Sequence, residues 1–246
     1  GRHDMQYAFD WSFIFRVLPK FGSAVAVTLE LFATTLLVSS TGAMLLALLS
    51  RAGSRVIRFG LGTFSWLFRG LPELIVLLFA YLALPRMGMP LPSFWAAVLG
   101  LSLIGMAYEY EIFRGALEAV PQGQFEAARA LGMGRARMAQ RIVLPQVFRI
   151  AIAPYITFAC SALKRTSIAS AIAVPEIMGL SERFNEAFQK PFELMLVAMI
   201  FYVALSSLLM CAEWLVERRL HPGHAVAPRK DVDSATEPVP GHGAPQ

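Results

Sequence analysis

The chain has 246 residues, of which 56% are hydrophobic and only 16% charged, with a mean hydropathy of +0.55. Soluble domains carry about a quarter charged residues, so this balance excludes an ordinary soluble enzyme and points to a bilayer protein. The net charge of +5 is spread over loops with no cluster suited to nucleic acid, and it reads as membrane topology.

Residues 1–21 read as an N-terminal segment on the outer, periplasmic side. There Trp11, Phe13, Ile14, Phe15, Val17 and Leu18 predict a short helix lying in the interface, its rings at headgroup depth. Apolar stretches follow near 22–50, 59–85, 92–113, 147–174 and 192–216. A spanning helix needs ~20 such residues, so each predicts a crossing. In lipid the backbone must satisfy its own hydrogen bonds, which makes the fold class an all-α integral membrane bundle of about five transmembrane helices. The membrane domain is 22–219. Residues 220–246, rich in Pro, Gly, Ala and charge, predict a disordered cytoplasmic tail in which His221 and His224 make no metal site. Cys160 and Cys211 fall within spans and are expected to behave as small buried hydrophobes.

Basic residues set the orientation. Arg51, Arg55 and Arg58 lie between the first two stretches, and Arg129, Arg135, Arg137, Arg141 and Arg149 lie in or beside the loop after the third. Arg218 and Arg219 follow the fifth. These regions alternate with the thinner basic content of Arg86, Arg183 and Lys190, so the N-terminus is periplasmic and the C-terminus cytoplasmic, with Arg2, Arg16 and Lys20 a mild exception.

The most informative loop covers about 119–145. In it Phe125, Ala128 and Leu131 recur at helical spacing, predicting an apolar stripe offered to a partner. Gly132 is placed to end a short helix in the left-handed conformation, and Pro145 to mark the turn into the next span. Glu126-Ala127-Ala128, Gly132, Ile142 and Leu144-Pro145 fit the pattern E-A-A-x3-G-x9-I-x-L-P. That pattern resembles the cytoplasmic coupling loop of bacterial ABC importer permeases, the segment that docks on the ATPase in that family. Three further segments are similar to the polar amino-acid subfamily, of the histidine, arginine, ornithine and opine type. They are Phe68-Arg69-Gly70-Leu71-Pro72-Glu73-Leu74, Ala107-Tyr108 with Glu111-Ile112-Phe113-Arg114, and Leu163-Lys164-Arg165-Thr166-Ser167 with Val174-Pro175-Glu176. The resemblance covers roughly residues 20–220. Two positions depart from it: Arg165 stands where many relatives are acidic or small and polar, and Glu109 where they are usually apolar.

Charges inside spans are costly, so they mark either bracing pairs or the substrate pathway. Glu30, Arg69, Glu73, Glu109, Glu111, Arg114 and Lys164 are such charges. Arg69 with Glu73, and Glu111 with Arg114, are spaced to pair along one helix; Glu30 and Glu109 have no such neighbour. Glu109 and Glu111 point to widely separated faces. Lys164, Thr166 and Ser167 supply a cation and hydroxyls, the groups needed to hold an α-carboxylate. Bracing and substrate contact both remain open for these residues.

No G-x-x-x-x-G-K-[ST] phosphate loop occurs, and no histidine lies between His3 and His221. The chain is therefore expected to be a transport subunit without catalytic residues, metal or cofactor of its own, in the bacterial inner membrane. A channel or secondary carrier subunit is the competing class, though no internal repeat supports it. The resemblance implies an importer for polar amino acids, basic ones foremost, or opines, with glutamine or glutamate as the alternative substrates. It implies ATP and Mg²⁺ bound by a dimer of ABC ATPase subunits, delivery by a periplasmic substrate-binding protein, and a second permease subunit, a heterodimer being favoured.

Overall fold

The computed structural model describes residues 9–220; the expected tail lies outside them. Ten α-helices are described: α1 Trp11–Val17, α2 Gly22–Ala52, α3 Arg55–Gly70, α4 Glu73–Arg86, α5 Ser93–Glu118, α6 Gln122–Ala130, α7 Arg135–Met138, α8 Leu144–Arg165, α9 Ile177–Phe188 and α10 Pro191–Leu220. No strand occurs among the described residues.

Asp10 starts α1 by accepting the Phe13 amide at 3.0 Å. A 3₁₀ turn, Leu18–Phe21, then leads directly into α2, with Pro19 in its first turn, where a missing N–H is harmless. The joined stretch Trp11–Arg51 is 41 residues of continuous apolar helix, ~60 Å at 1.5 Å per residue. So α1 extends α2 and does not form a separate helix lying flat in the interface. Phe13, Ile14, Val17 and Phe21 hold it there by packing with Ile177, Leu194 and Val197. The Lys190 ammonium also pairs with Asp10 and holds its carboxyl well below the usual carboxylate range, helped by Ser12 and the Phe13 amide.

Residue register fixes the topology. Helices α2 and α5 meet through Thr35 with Ser102, Ser39 with Glu109, Ser50 with Tyr110 and Arg51 with Leu117. Both numbers rise together, so the helices run parallel. Parallel neighbours require the intervening chain to recross the bilayer, and α3 with α4 does so despite a 99° bend between them. The second expected span is thus broken. Leu71 (φ −82°, ψ 140°) precedes Pro72, and the proline both forbids helical geometry there and lacks an N–H. Helix α8 runs against α2, with Tyr155 on Ser40 and, further along, the Ile177 amide on Thr28. Helix α10 runs against α8: Glu213 meets Thr157, and Tyr202 meets Glu176. Five crossings result, as the sequence led us to expect. The 119–143 loop and the end of α10 share one side, and α1 and α9 lie on the other.

Small residues allow α2 and α5 to approach closely. A methyl added at Gly105 would stand 2.9 Å from Ser39 Cβ, and one at Gly42 would overlap the flexible end of Met106. Pro145 produces no turn. A π-helical segment, Ala139–Val143, absorbs the amide it lacks, and Gln146 Nε2 donates to the Ile142 carbonyl at 3.0 Å. The stretch Ala136–Ile172 consequently stays one long apolar helix ending in 3₁₀. Cys160 is buried as expected, whereas Cys211 is exposed on the outside of the bundle.

On the side opposite the loop, Glu176 is fully buried and caps α9, accepting the Gly179 amide at 2.7 Å and the Met178 amide at 3.0 Å. The Tyr202 phenol donates to it as well. Burial nevertheless raises this carboxyl above its usual range. A Cβ at Gly179 would lie 2.1 Å from the Val174 carbonyl oxygen, a backbone atom that cannot step aside. Gly179→Ala is therefore expected to cost about 1–3 kcal/mol and lower the thermal midpoint of the purified protein by several degrees. Gly115→Ala, on an open helix surface, should leave it unchanged or raise it. Equal midpoints for the two variants would contradict this packing.

Candidate functional site

Four helices converge on one small cavity at mid-bundle. Phe32, Thr35, Leu36 and Ser39 come from α2, Glu73 from the first turn of α4, and Leu101, Ile104 and Gly105 from α5. Phe158, Ala162 and Arg165 of α8 complete it with Thr166, which opens the following 3₁₀ segment. Its free room is about 20 Å³, the space of roughly one water. An amino acid enters only if the helices move apart.

The helix break decides which charges reach this cavity. Because Leu71 and Pro72 turn the chain, Arg69 and Glu73 do not pair along one helix as their spacing suggested. Glu73 instead accepts from Arg165 Nη1 at 3.1 Å, while Arg69 approaches Glu111 at 3.8 Å. The Arg165 guanidinium also lies over two aromatic rings, 4.7 Å from the Phe158 centroid and 5.4 Å from that of Tyr108. Stacked on the rings and tied to a carboxylate, it is fixed in place.

Glu109 lies behind this cavity. It is fully buried, and Oε1 accepts from Ser39 Oγ at 2.8 Å. No ion pair reaches it among the described residues. Three buried polar atoms here have no hydrogen-bond partner among the described residues: Glu109 Oε2, Glu73 Oε2 and Thr35 Oγ1. Such orphans are rare in a settled core, and here two of them, on Thr35 and Glu73, belong to residues lining the cavity. On the other face of α5, Glu111 is satisfied by Ser65 at 2.7 Å and Arg114 at 2.6 Å. Arg114 also holds Glu118 at 2.8 Å. That group braces α3 on α5, so the two carboxylates do take separate faces and separate tasks.

The set Lys164, Thr166 and Ser167 is not gathered. Thr166 Oγ1 donates to the Leu163 carbonyl at 2.7 Å and Ser167 Oγ to the Lys164 carbonyl at 2.8 Å, so neither hydroxyl proton is directed at a ligand. Lys164 is exposed outside the cavity, and Arg165, one residue on, supplies the cation. Glu30 is exposed on α2 with no hydrogen bond or ion pair among the described residues. Sequence reasoning noticed Arg165 only as a departure and missed Thr35 and Ser39. Their signal was present: a polar run, Thr34-Thr35 and Ser39-Ser40-Thr41, inside a leucine-rich span.

In the loop, Gly132 adopts φ +68° and ends α6, its amide donating to Arg129 O at 2.9 Å, as its position required. The apolar stripe divides. Phe125 and Ala128 are buried in this chain's own core, and only Leu131 is offered outward, 80% exposed. Glu126, Ala127, Arg129 and Ala130 share that outer face, while Ile142 and Leu144 are half-buried and Pro145 exposed. The physical reason is a socket in the apolar cluster of this chain, where Phe125 is buried together with Ala47, Phe113, Leu117 and Val147.

The Glu73–Arg165 pair is testable by a double-mutant cycle. Arg165→Met strands a partly buried carboxylate at an expected cost of about 2–3 kcal/mol, below the fully buried figure because both side chains keep some exposure. Adding Glu73→Gln should recover most of that loss in unfolding measurements on purified protein. Strictly additive losses would contradict the pairing.

Comparison with known proteins agrees with this architecture. The family described as binding-protein-dependent transport system inner membrane component matches residues 39–222. A probable amino-acid permease protein of Bacillus subtilis, YxeN, is 31% identical over 86% of this chain and 96% of its own length. The histidine/lysine/arginine/ornithine transport system permease protein HisM of Salmonella typhimurium is 31% identical over 80% of this chain and 88% of its own. Among solved structures, an amino acid ABC transporter crystallised with histidines superposes with a TM-score of 0.79 at 26% identity, covering 87% of this chain and all of that one. The MetNI methionine ABC transporter shares the fold, with a TM-score of 0.65 at 16% identity over 86% of this chain and 99% of that one. A membrane domain of five crossings, the coupling-loop pattern and these likenesses together establish that the chain belongs to the binding-protein-dependent inner membrane components, as a multi-pass permease subunit of an amino-acid ABC importer.

Proposed function

We propose that this subunit forms half of a pathway that imports polar amino acids carrying an additional positive charge, or opines. A periplasmic binding protein delivers the substrate, and a dimer of ATPase subunits docks on the 119–145 loop and supplies ATP and Mg²⁺ chemistry. A second, similar permease completes the pathway, a heterodimer being favoured by the Arg-Gly-Leu-Pro-Glu segment. Glu30 and Lys164 support such a partner. Both are exposed charges on span surfaces, where facing lipid would be costly. ATP binding closes the ATPases, α6 moves with them, and the bundle opens the cavity to alternate sides.

The observation that carries the substrate class is the charge around the cavity. Arg165 and Glu73 neutralise each other, which leaves Glu109 as the unbalanced group one hydrogen bond behind Ser39. Relatives named for histidine, lysine, arginine and ornithine, and for arginine, support the same reading. In the pathway the substrate carboxylate would meet Arg165 and its ammonium Glu73, with the orphaned Thr35 hydroxyl beside them.

The test is uptake by the reconstituted complete importer. Glu109→Gln should raise KM for a cationic substrate by up to about a hundredfold, the effect of a full charge roughly 6 Å away at an effective dielectric near 20, and leave an uncharged isostere unchanged. Equal effects on both, or a native preference for glutamine or glutamate, would contradict the reading. Orientation is tested separately: a reporter after Arg219 should be active only in the cytoplasm and one near Arg183 only in the periplasm. The reverse pattern would overturn the assignment of sides.

A further inference from the structure

Arg51 ends α2 beside the loop and makes two contacts that the family pattern does not describe. Its guanidinium lies over the Phe125 ring of α6, 4.4 Å from the centroid. Its Nη1 donates to the Leu117 carbonyl at 3.3 Å. That carbonyl needs an outside donor, because the residue one turn on is Pro121, which has no N–H to give. Phe125 is itself buried in the socket between α2, α5 and α8. One side chain therefore joins the ends of α2 and α5 to the inward face of the loop helix. From that joint α2 passes Ser39 and Thr35 at the cavity and reaches Thr28, which accepts the amide that begins α9.

We propose that Arg51 is a positioning residue for energy coupling: stacked on Phe125 and bonded to Leu117, it makes α6 and α2 move together. The outer face of α6 receives the push, Phe125 carries it inward, and Arg51 prevents the ring from sliding past the end of α2. The flat guanidinium is essential to this, because an ammonium can donate to Leu117 but cannot stack on the ring. The inference rests on the 119–145 loop being the ATPase-docking segment.

The test uses the complete importer, with its ATPases and binding protein, reconstituted in lipid as wild type, Arg51→Lys and Arg51→Met. In Arg51→Met the ATPase should still co-purify and basal hydrolysis persist, while stimulation by loaded binding protein and substrate moved per ATP fall at least about fivefold, the low end of typical coupling energies. Arg51→Lys should lie between, and it carries the test should Arg51→Met fail to assemble. A merely structural arginine would instead lower assembly, hydrolysis and transport in proportion, and that result overturns the proposal. Normal stimulation and stoichiometry in Arg51→Lys overturns it too. If the wild-type complex moved no amino acid, the functional reading would fail; normal coupling in the variants of an active complex would sink only the role of Arg51.

Discussion

Inside a bilayer a charge needs a partner and a backbone amide needs an acceptor, and one break in one helix arranges both here. At Leu71 and Pro72 the chain gives up helical geometry, and α3 and α4 return between the parallel helices α2 and α5 with a 99° bend between them. The same break rotates Glu73 away from Arg69 and aims it at Arg165 on α8. Had the helix continued, Arg69 and Glu73 would have satisfied each other locally, and the cavity would have lost its carboxylate. The site chemistry thus depends on the break at a proline, which ends α3 before Glu73.

Helix α2 provides continuity between the two sides. Its loop-side end is fixed by Arg51, its middle lines the cavity through Thr35 and Ser39, and its opposite part holds the start of α9 through Thr28. Close approach to α5 at Gly105 leaves little slack between the two helices. A stiff helix with contacts at three depths suits a machine whose energy enters on one face and whose substrate crosses the middle. The oxygens of Thr35 and Glu73 that lack a partner among the described residues sit at the cavity that this helix lines, available to a donor on a ligand.

Much of this was legible in the residues. Apolar length and alternating arginines gave the crossings, and the spacing from Glu126 to Pro145 gave the loop, including the left-handed Gly132. What failed has physical reasons. Helical spacing says that Phe125, Ala128 and Leu131 share a stripe; it does not say whether the chain's own core or a partner covers it. Pairing Arg69 with Glu73 assumed a continuous helix across a proline. Lys164 and Arg165 stand one residue apart, which on a helix is a rotation of about 100°, so the first is exposed on the bundle surface while the second lines the cavity. Pro145 was read as a turn because the π-helical segment that accommodates it has no simple sequence signature.

The Glu73–Arg165 pairing that follows the Pro72 break is the proposed place where substrate crosses. The most direct measurement is an experimental structure of the complete importer with its transported amino acid bound. The account predicts ligand density against Arg165, Glu73 and Thr35, with the α2 and α8 walls drawn apart to admit it. Density lying elsewhere in the membrane domain, with the Glu73–Arg165 pair closed and the cavity still water-sized, would contradict it.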